Sequence, residues 1–493
     1  MRPPLDRLRA LLANVADLGH AQQVLEWDSR VSMPRRGARA RADASATLTR
    51  LGHDLLVSEE MGELLEELAP VEEQLGRDSV DGALIRLTRR GWERERRVPG
   101  DLAAEMTRVS NIAVAAWDEA KAASDFHSFV PHLERQLELK REYIACFPAT
   151  DEPYDVVLDD YEEGMTTARV TEVFDTLKRT LIPLVAEVGG RGRDDALLRG
   201  PLAIEGQKRA CAKILDALGF AADGWRLDET PHPFATNPGL GDVRLTTAFS
   251  EQDLHSLFST MHEFGHGVYE WGVDPAFART PLHRGTSSAV HESQSRTWEN
   301  LVGRSPGFWR WFYPQLQSIF PDALGDVAED AFVSAINAVR PGLIRIDADE
   351  VTYGLHIILR FEIEQELLAG TLAIRDLPEV WNARVHDYLG VDVPDDAHGV
   401  LQDMHWAIGL VGYFPTYQLG NVMSVQIWRR AQDELGDLEE QFARGDFAPL
   451  REWLREHVYQ SGSMYPPREL LLRVTGSDLD PQPYLDYLTT KFG

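Results

Sequence analysis

The chain has 493 residues, 43% hydrophobic and 26% charged, a globular composition with enough length for a sizeable core. Its formal net charge of −29 disfavours nucleic acid and anionic membranes as partners. Met1 to Asp6 carries no signal-peptide core, and no apolar run reaches membrane-spanning length. With only Cys146 and Cys211, the sequence predicts a soluble cytoplasmic protein with free thiols.

The first half predicts helix after helix. Leu5 to Leu25 is periodic, with a break at Trp27-Asp28 and Met33-Pro34. Ala38 to Leu65, Val71 to Arg97, Asp101 to Ala123 and Val130 to Phe147 read as further helices, the last with Pro131 in its first turn. Tyr154 to Met165 reads as a polar, acidic connection. Thr166 or Thr167 caps a helix to about Val188, and 189–197 reads as a loop. Ile204 to Leu218 is helical, with Gly219 as its C-cap.

From Trp225 the pattern changes. Trp225 to Leu227 has strand character, Asn237 to Gly241 reads as a turn, and Asp242 to Thr247 alternates. Val243 and Leu245 then face one way, Arg244 and Thr246 the other. The spacing predicts a small β element, either a surface hairpin or an edge strand that an extended peptide could join.

The next stretch carries the chemistry. Leu254, Leu257, Phe258, Met261, Phe264 and Val268 recur at helical spacing, and His262 and His266 lie one turn apart on one face. Two imidazoles so placed can bind one Zn²⁺ from the same side. Glu263, rotated by about 100°, flanks the metal and can take a proton from the water it activates. Gly265 and Gly267 weaken the helix, which implies a close approach to that face, a substrate backbone being one candidate.

Gly272 to Ser287 reads as sixteen residues without regular structure, long for a connection. Ser287 or Ser288 caps a helix to about Leu301. The third ligand is expected there. Glu270 lies roughly 9 Å of helix rise from the metal position, a hard reach. Glu292 completes a His₂Glu set, with Glu299 as an alternative ligand or supporting group.

Pro306 to Pro321 is aromatic and reads as core, and Leu324 to Val339 as helix. Ile344 to Asp347 alternates as a short strand. Asp347 and Glu350 have capping-box spacing for a helix ending at Gly370. Arg345 at this junction either pairs with Asp347 or Asp349, or grips a carboxylate. Asp376 to Leu389 is helical, polar groups gather from Gly399 to Trp406, and Gly412 to Asn421 opens a helix. His405 and a tyrosine there could stabilise an oxyanion. Ser424 to Gly493 reads as helices with short turns.

These motifs together resemble the carboxypeptidase Taq family of metallocarboxypeptidases. They run from Trp27-Asp28 and Met33-Pro34 through Tyr154–Thr167, His232-Pro233-Phe234, Asp242-x-Arg244-x-Thr246 and His262-Glu263-x-x-His266. They continue through His291-Glu292-Ser293, Ile344-Arg345-x-x-Ala348-Asp349 and Gly399-x-x-Gln402-Asp403-x-His405-Trp406 to Gly412-Tyr413-Phe414-Pro415. The resemblance implies one catalytic domain over 1–493. It implies a mainly helical, two-lobed fold with a deep groove and a small sheet, like angiotensin-converting enzyme and neurolysin. It also implies a homodimer that releases single C-terminal residues with broad specificity, using one zinc or cobalt ion. His262, His266 and Glu292 become ligands and Glu263 the general base. His405, Tyr413 and Tyr417 become catalytic candidates. Arg345, His232, Asp242, Arg244 and His291 become substrate-binding candidates. An oligopeptidase and a non-enzymatic helical scaffold with structural zinc are the competing readings.

Overall fold

The computed structural model describes residues 2–189 and 201–493. Most of them are α-helical, with one three-stranded sheet. The chain forms two compact units, one from Met1–Arg96, Asp194–Ile336 and Ile427–Asp478, the other from Arg97–Arg193, Asn337–Gln426 and Leu479–Gly493. Each unit is stitched from three separated stretches, so neither is a continuous piece of chain. No helix among the described residues is long and apolar enough to cross a membrane.

In the first unit, helices Arg2–Val31, Ala38–Leu56, Glu59–Gln74 and Val80–Arg97 pack around Leu8, Leu12, Met61, Leu65, Leu68 and Leu84. The boundaries differ from the periodic reading. Trp27 and Asp28 belong to the first helix, and the break comes at Ser32–Pro34. The expected helix 38–65 is two helices, because the Ser58 hydroxyl caps a new start by accepting from Met61 N at 3.2 Å. That new helix runs through Pro70 to Gln74, and a turn over 75–79 precedes Val80. Apolar periodicity continues across the junction, so period alone hides the cap.

The sheet has strands β1 (Trp225–Glu229), β2 (Ala235–Gly239) and β3 (Asp242–Thr247) in the order β1-β3-β2. β1 runs parallel to β3 and β2 antiparallel, with a register irregularity between Thr236 and Gly239. β3 is therefore the central strand, not the predicted edge, and the expected turn 237–241 is mostly strand. Val243 and Leu245 are fully buried against the histidine helix, His255–Trp271. A Cβ on Gly267 would lie 2.8 Å from Val243 Cγ1 and 2.9 Å from Leu245 Cδ2. One on Gly265 would lie 2.5 Å from Gln294 O on the following helix. Both glycines thus admit neighbouring protein, sheet and helix, and not a substrate backbone.

The second unit contains helices Gly100–Ala123, Phe126–Ala145, Thr167–Val188, Tyr353–Ala369 and Leu377–Leu389. The helix expected from Val130 begins at Phe126, capped by Asp125, which accepts from Ser128 N at 3.3 Å. Thr166 is the N-cap of the next long helix. The loop expected at 189–197 lies, beyond Gly189, outside the described residues. Tyr154 to Met165 is not merely a polar connection: Tyr154–Leu158 is a short helix with Tyr154, Val157 and Leu158 buried. Instead of a strand, residues 345–347 form one 3-10 turn. No capping box forms from Asp347 and Glu350. Asp349 Oδ1 accepts from Val351 N and Thr352 N, and the helix starts at Tyr353. The expected helix 324–339 is split into Pro321–Leu324 and Glu329–Ile336, which belong to the first unit.

Candidate metal centre and substrate-binding residues

In the first unit, His262 and His266 project from one face of the histidine helix. Glu292 comes from the next helix, Ser288–Arg296, capped by Ser287. The Nε2 atoms of His262 and His266 lie 3.7 and 3.6 Å from Glu292 Oε2. Two donors held ~2.0–2.2 Å from a tetrahedral zinc ion sit ~3.3–3.6 Å apart, so the three atoms fit one ion. Two neutral imidazoles and one carboxylate are also the donor chemistry of an open, catalytic zinc set.

Each candidate ligand is held from behind. His262 Nδ1 lies 2.8 Å from Glu299 Oε2. Arg296 donates from Nε to Glu292 Oε1 at 2.7 Å and from Nη1 to Glu299 Oε2 at 3.1 Å. That leaves Glu292 Oε2 turned to the histidines. Glu299 sits on a π-helical turn, Thr297–Val302, where the sequence predicts unbroken α-helix. This turn places Glu299 behind His262. His266 Nδ1 faces His291 Nδ1 at 2.8 Å, and His291 Nε2 faces Glu270 Oε1 at 2.6 Å. His291, a substrate-binding candidate in the sequence, lies in this chain.

The loop 272–287 is not structureless. It contains 3-10 turns Pro275–Phe277 and Pro281–His283. Gly285 N donates to Glu270 Oε1 at 3.1 Å, and Thr286 N to Tyr269 Oη at 3.2 Å.

Glu263 is 6% exposed, and its carboxylate has no hydrogen-bond or ion-pair partner among the described residues. Burial pushes it up to about 7; His262 opposes the shift, while Glu292 and Glu299 add to it. His266 is held well below the usual imidazole range by burial and by the charges of His262, His291 and Arg296. His262 is raised: burial opposes this, but Glu292 and Glu299 outweigh it. Of the remaining candidates here, His232 is exposed. Asp242 and Arg244 are committed to each other at 2.8 and 2.9 Å, with Arg244 stacked 4.5 Å over the Trp27 ring.

In the second unit, Arg345 is 6% exposed and pairs with Asp403, not with Asp347 or Asp349. Arg360, fully buried, donates to the other Asp403 oxygen from Nε at 2.8 Å. Gln402 Oε1 accepts from Arg345 N at 2.9 Å, and Arg345 Nη1 donates to Tyr353 Oη at 3.2 Å. Burial would raise the Asp403 carboxyl, but the two guanidinium groups hold it far below its usual range. Burial lowers Arg360 to about 10 and His405 to about 4, against the attraction of Asp403. His405 Nε2 lies 3.1 Å from Tyr417 Oη, and the Tyr413 ring packs edge-on to Tyr417 at 5.2 Å.

Buried Glu364 accepts from Tyr154 Oη at 2.6 Å, Trp406 Nε1 at 2.8 Å and Gly412 N at 2.9 Å, fixing the backbone beside His405 and Tyr413. Sequence reasoning missed Arg360 and Glu364. Their signal was an apolar run from Ile357 interrupted by charged Arg360, Glu362 and Glu364.

The family model for carboxypeptidase Taq (M32) metallopeptidases matches residues 7–492. The chain belongs to this family. Thermostable carboxypeptidase 1 of Thermus thermophilus is 42% identical, over 97% of this chain and 96% of the relative. Carboxypeptidase 1 of Bacillus subtilis is 37% identical, over 98% and 96%. The crystal structure of an M32 carboxypeptidase from Deinococcus radiodurans superposes with a TM-score of 0.96 at 40% identity, covering 99% of each chain.

The chain is accordingly a metallocarboxypeptidase, a peptide hydrolase that requires a divalent metal. These matches give no support to the oligopeptidase reading, and membership of a metallopeptidase family overturns the non-enzymatic scaffold.

Proposed function

We propose that the enzyme removes single C-terminal residues from peptides with broad specificity, over one catalytic domain spanning 1–493. His262, His266 and Glu292 hold the metal, with zinc the ion and cobalt able to replace it. The observation that carries this reading is the meeting of three ligand atoms beside the partnerless carboxylate of Glu263.

A bound dication would polarise the scissile carbonyl and acidify the attacking water. Glu263 takes the proton of that water and returns it to the leaving amine, a role suited to a carboxylate near neutral pKa. Tyr413, with Tyr417 behind it, and His405 are the donors proposed for the oxyanion. Arg345 is proposed to bind the substrate's terminal carboxylate. Two arginines against one Asp403 leave the cluster with a net positive charge, which favours an anionic ligand. His232, His291, Asp242 and Arg244 remain proposed substrate contacts, the last two as an ion-paired unit.

A cytoplasmic homodimer is proposed from the sequence and the family resemblance. The test is digestion of a peptide mixture, followed by mass spectrometry, with and without chelator. Ladders shortened one residue at a time from the C-terminus, abolished by chelator and restored by zinc, are expected. Internal cleavage or chelator-resistant turnover contradicts the proposal.

A further inference from the structure

The two histidines of the metal set are supported differently. His262 Nδ1 meets a carboxylate directly, whereas His266 Nδ1 reaches one only through His291. A contact of 2.8 Å between two Nδ1 atoms holds one proton. His266 must present a lone pair at Nε2 to bind metal, so its proton sits on Nδ1 and is donated to His291. His291 then accepts at Nδ1 and carries its own proton on Nε2, donated to Glu270 Oε1 at 2.6 Å. This is the one placement that makes both contacts hydrogen bonds while leaving His266 neutral and ready.

We propose that Glu270 and His291 form a positioning relay that fixes the ring orientation and proton placement of His266 for metal binding. The inference rests on the metal reading of His262, His266 and Glu292.

The relay is built in from three sides. Glu270 lies one turn beyond His266 on the same helix and is 9% exposed. The loop that follows lays its backbone on it, through the Gly285 N–H to Glu270 Oε1 at 3.1 Å. A Cβ on Gly285 would lie 2.8 Å from His291 Cδ2 and 2.7 Å from Tyr269 Cε1, so only glycine lets the loop approach. The Tyr269 ring, 5.0 Å from that of His291, limits its rotation. A glutamate too far along the helix to bind the metal thus acts on it through an intervening imidazole. Partners of this kind behind a metal ligand are worth about tenfold to a hundredfold in metal affinity.

The experiment measures zinc affinity of the full chain by chelator competition, with thermal melts in chelator as the check on folding. His291→Leu should bind zinc about tenfold to a hundredfold more weakly than wild type. His291→Gln, which can both accept from His266 and donate to Glu270, should recover much of that loss. Should His291→Leu not fold, Glu270→Gln carries the test, since it keeps the shape and weakens the acceptor; its affinity should fall below wild type. Wild-type affinity in the variant tested, or equal losses in the Leu and Gln variants, overturns the relay. His266→Ala separates the two readings. If it too binds zinc normally, the ligand assignment itself fails; if it loses zinc while His291→Leu keeps it, only the relay fails.

Discussion

Arg345 donates to Asp403 through two nitrogens, with Nη2 at 2.8 Å and Nε at 3.1 Å from Oδ1. The Nε–Nη2 edge of the guanidinium is therefore committed to protein, and its Nη1–Nη2 edge is the one proposed for a peptide carboxylate. Charged hydrogen bonds of this kind contribute ~1.5–3 kcal/mol. At ~1.4 kcal/mol per decade, Arg345→Ala should lower kcat/KM roughly tenfold to a hundredfold. Lysine, lacking the fork, should restore part. Amidating the peptide C-terminus should impose a similar penalty on wild type and little more on Arg345→Ala. Full additivity of the two penalties shows that Arg345 only supports the fold through Asp403.

Glu263 gives the sharpest test of the chemistry. Glu263→Gln preserves shape in a buried position whose carboxylate supports no other residue by hydrogen bond or ion pair among those described. The variant should bind zinc and melt at or above the wild-type temperature, because a buried carboxylate near pKa 7 is itself costly to fold. Turnover should nearly vanish. Near-normal turnover removes Glu263 as the base.

Local pattern made the candidate ligand set readable: two histidines at helical spacing, and a glutamate on the next helix beyond a capping serine. The groups that hold the ligands were harder to read, because each depends on a feature without a one-dimensional signature. Glu299 needs a π-turn to reach His262, and His291 needs the Gly285 backbone over Glu270. Arg345 finds its partner 58 residues away, so the nearby Asp347 and Asp349 misled. β3 alternated as an edge strand would, yet it is central because β1 pairs in parallel across a connection that composition does not reveal.

Arg296 lies between buried Glu292 and half-buried Glu299, at 2.7 and 3.1 Å. Arg296→Met removes the cation that the two carboxylates share. Breaking a buried pair of this kind costs ~3–5 kcal/mol. A dication held by Glu292 supplies the missing positive charge, so zinc should raise the melting temperature of Arg296→Met more than that of wild type. Melts in chelator and in zinc measure this. An equal drop under both conditions shows that the arginine acts by packing alone.

His356 and His405 set an acid limit on stability in the second unit. His356 is fully buried and is held at about 3 by burial, with Arg360 and Arg345 lowering it further and Asp403 opposing. His405, at about 4, is governed by the same groups. In the unfolded chain both take a proton near 6.5. Between pH 6.5 and these lower values the unfolded chain holds more protons than the folded one. Stability therefore rises with pH in this window and is lost as pH falls below about 6.5. At ~1.4 kcal/mol per pKa unit, the two together remove several kcal/mol by pH 4. Metal loss would mask the effect, so the measurement belongs in chelator. His356→Leu should melt below wild type at pH 7.5, where the packing change dominates, and the gap should narrow or invert by pH 4.5. If the two melting curves stay parallel across that range, His356 does not resist protonation in the fold.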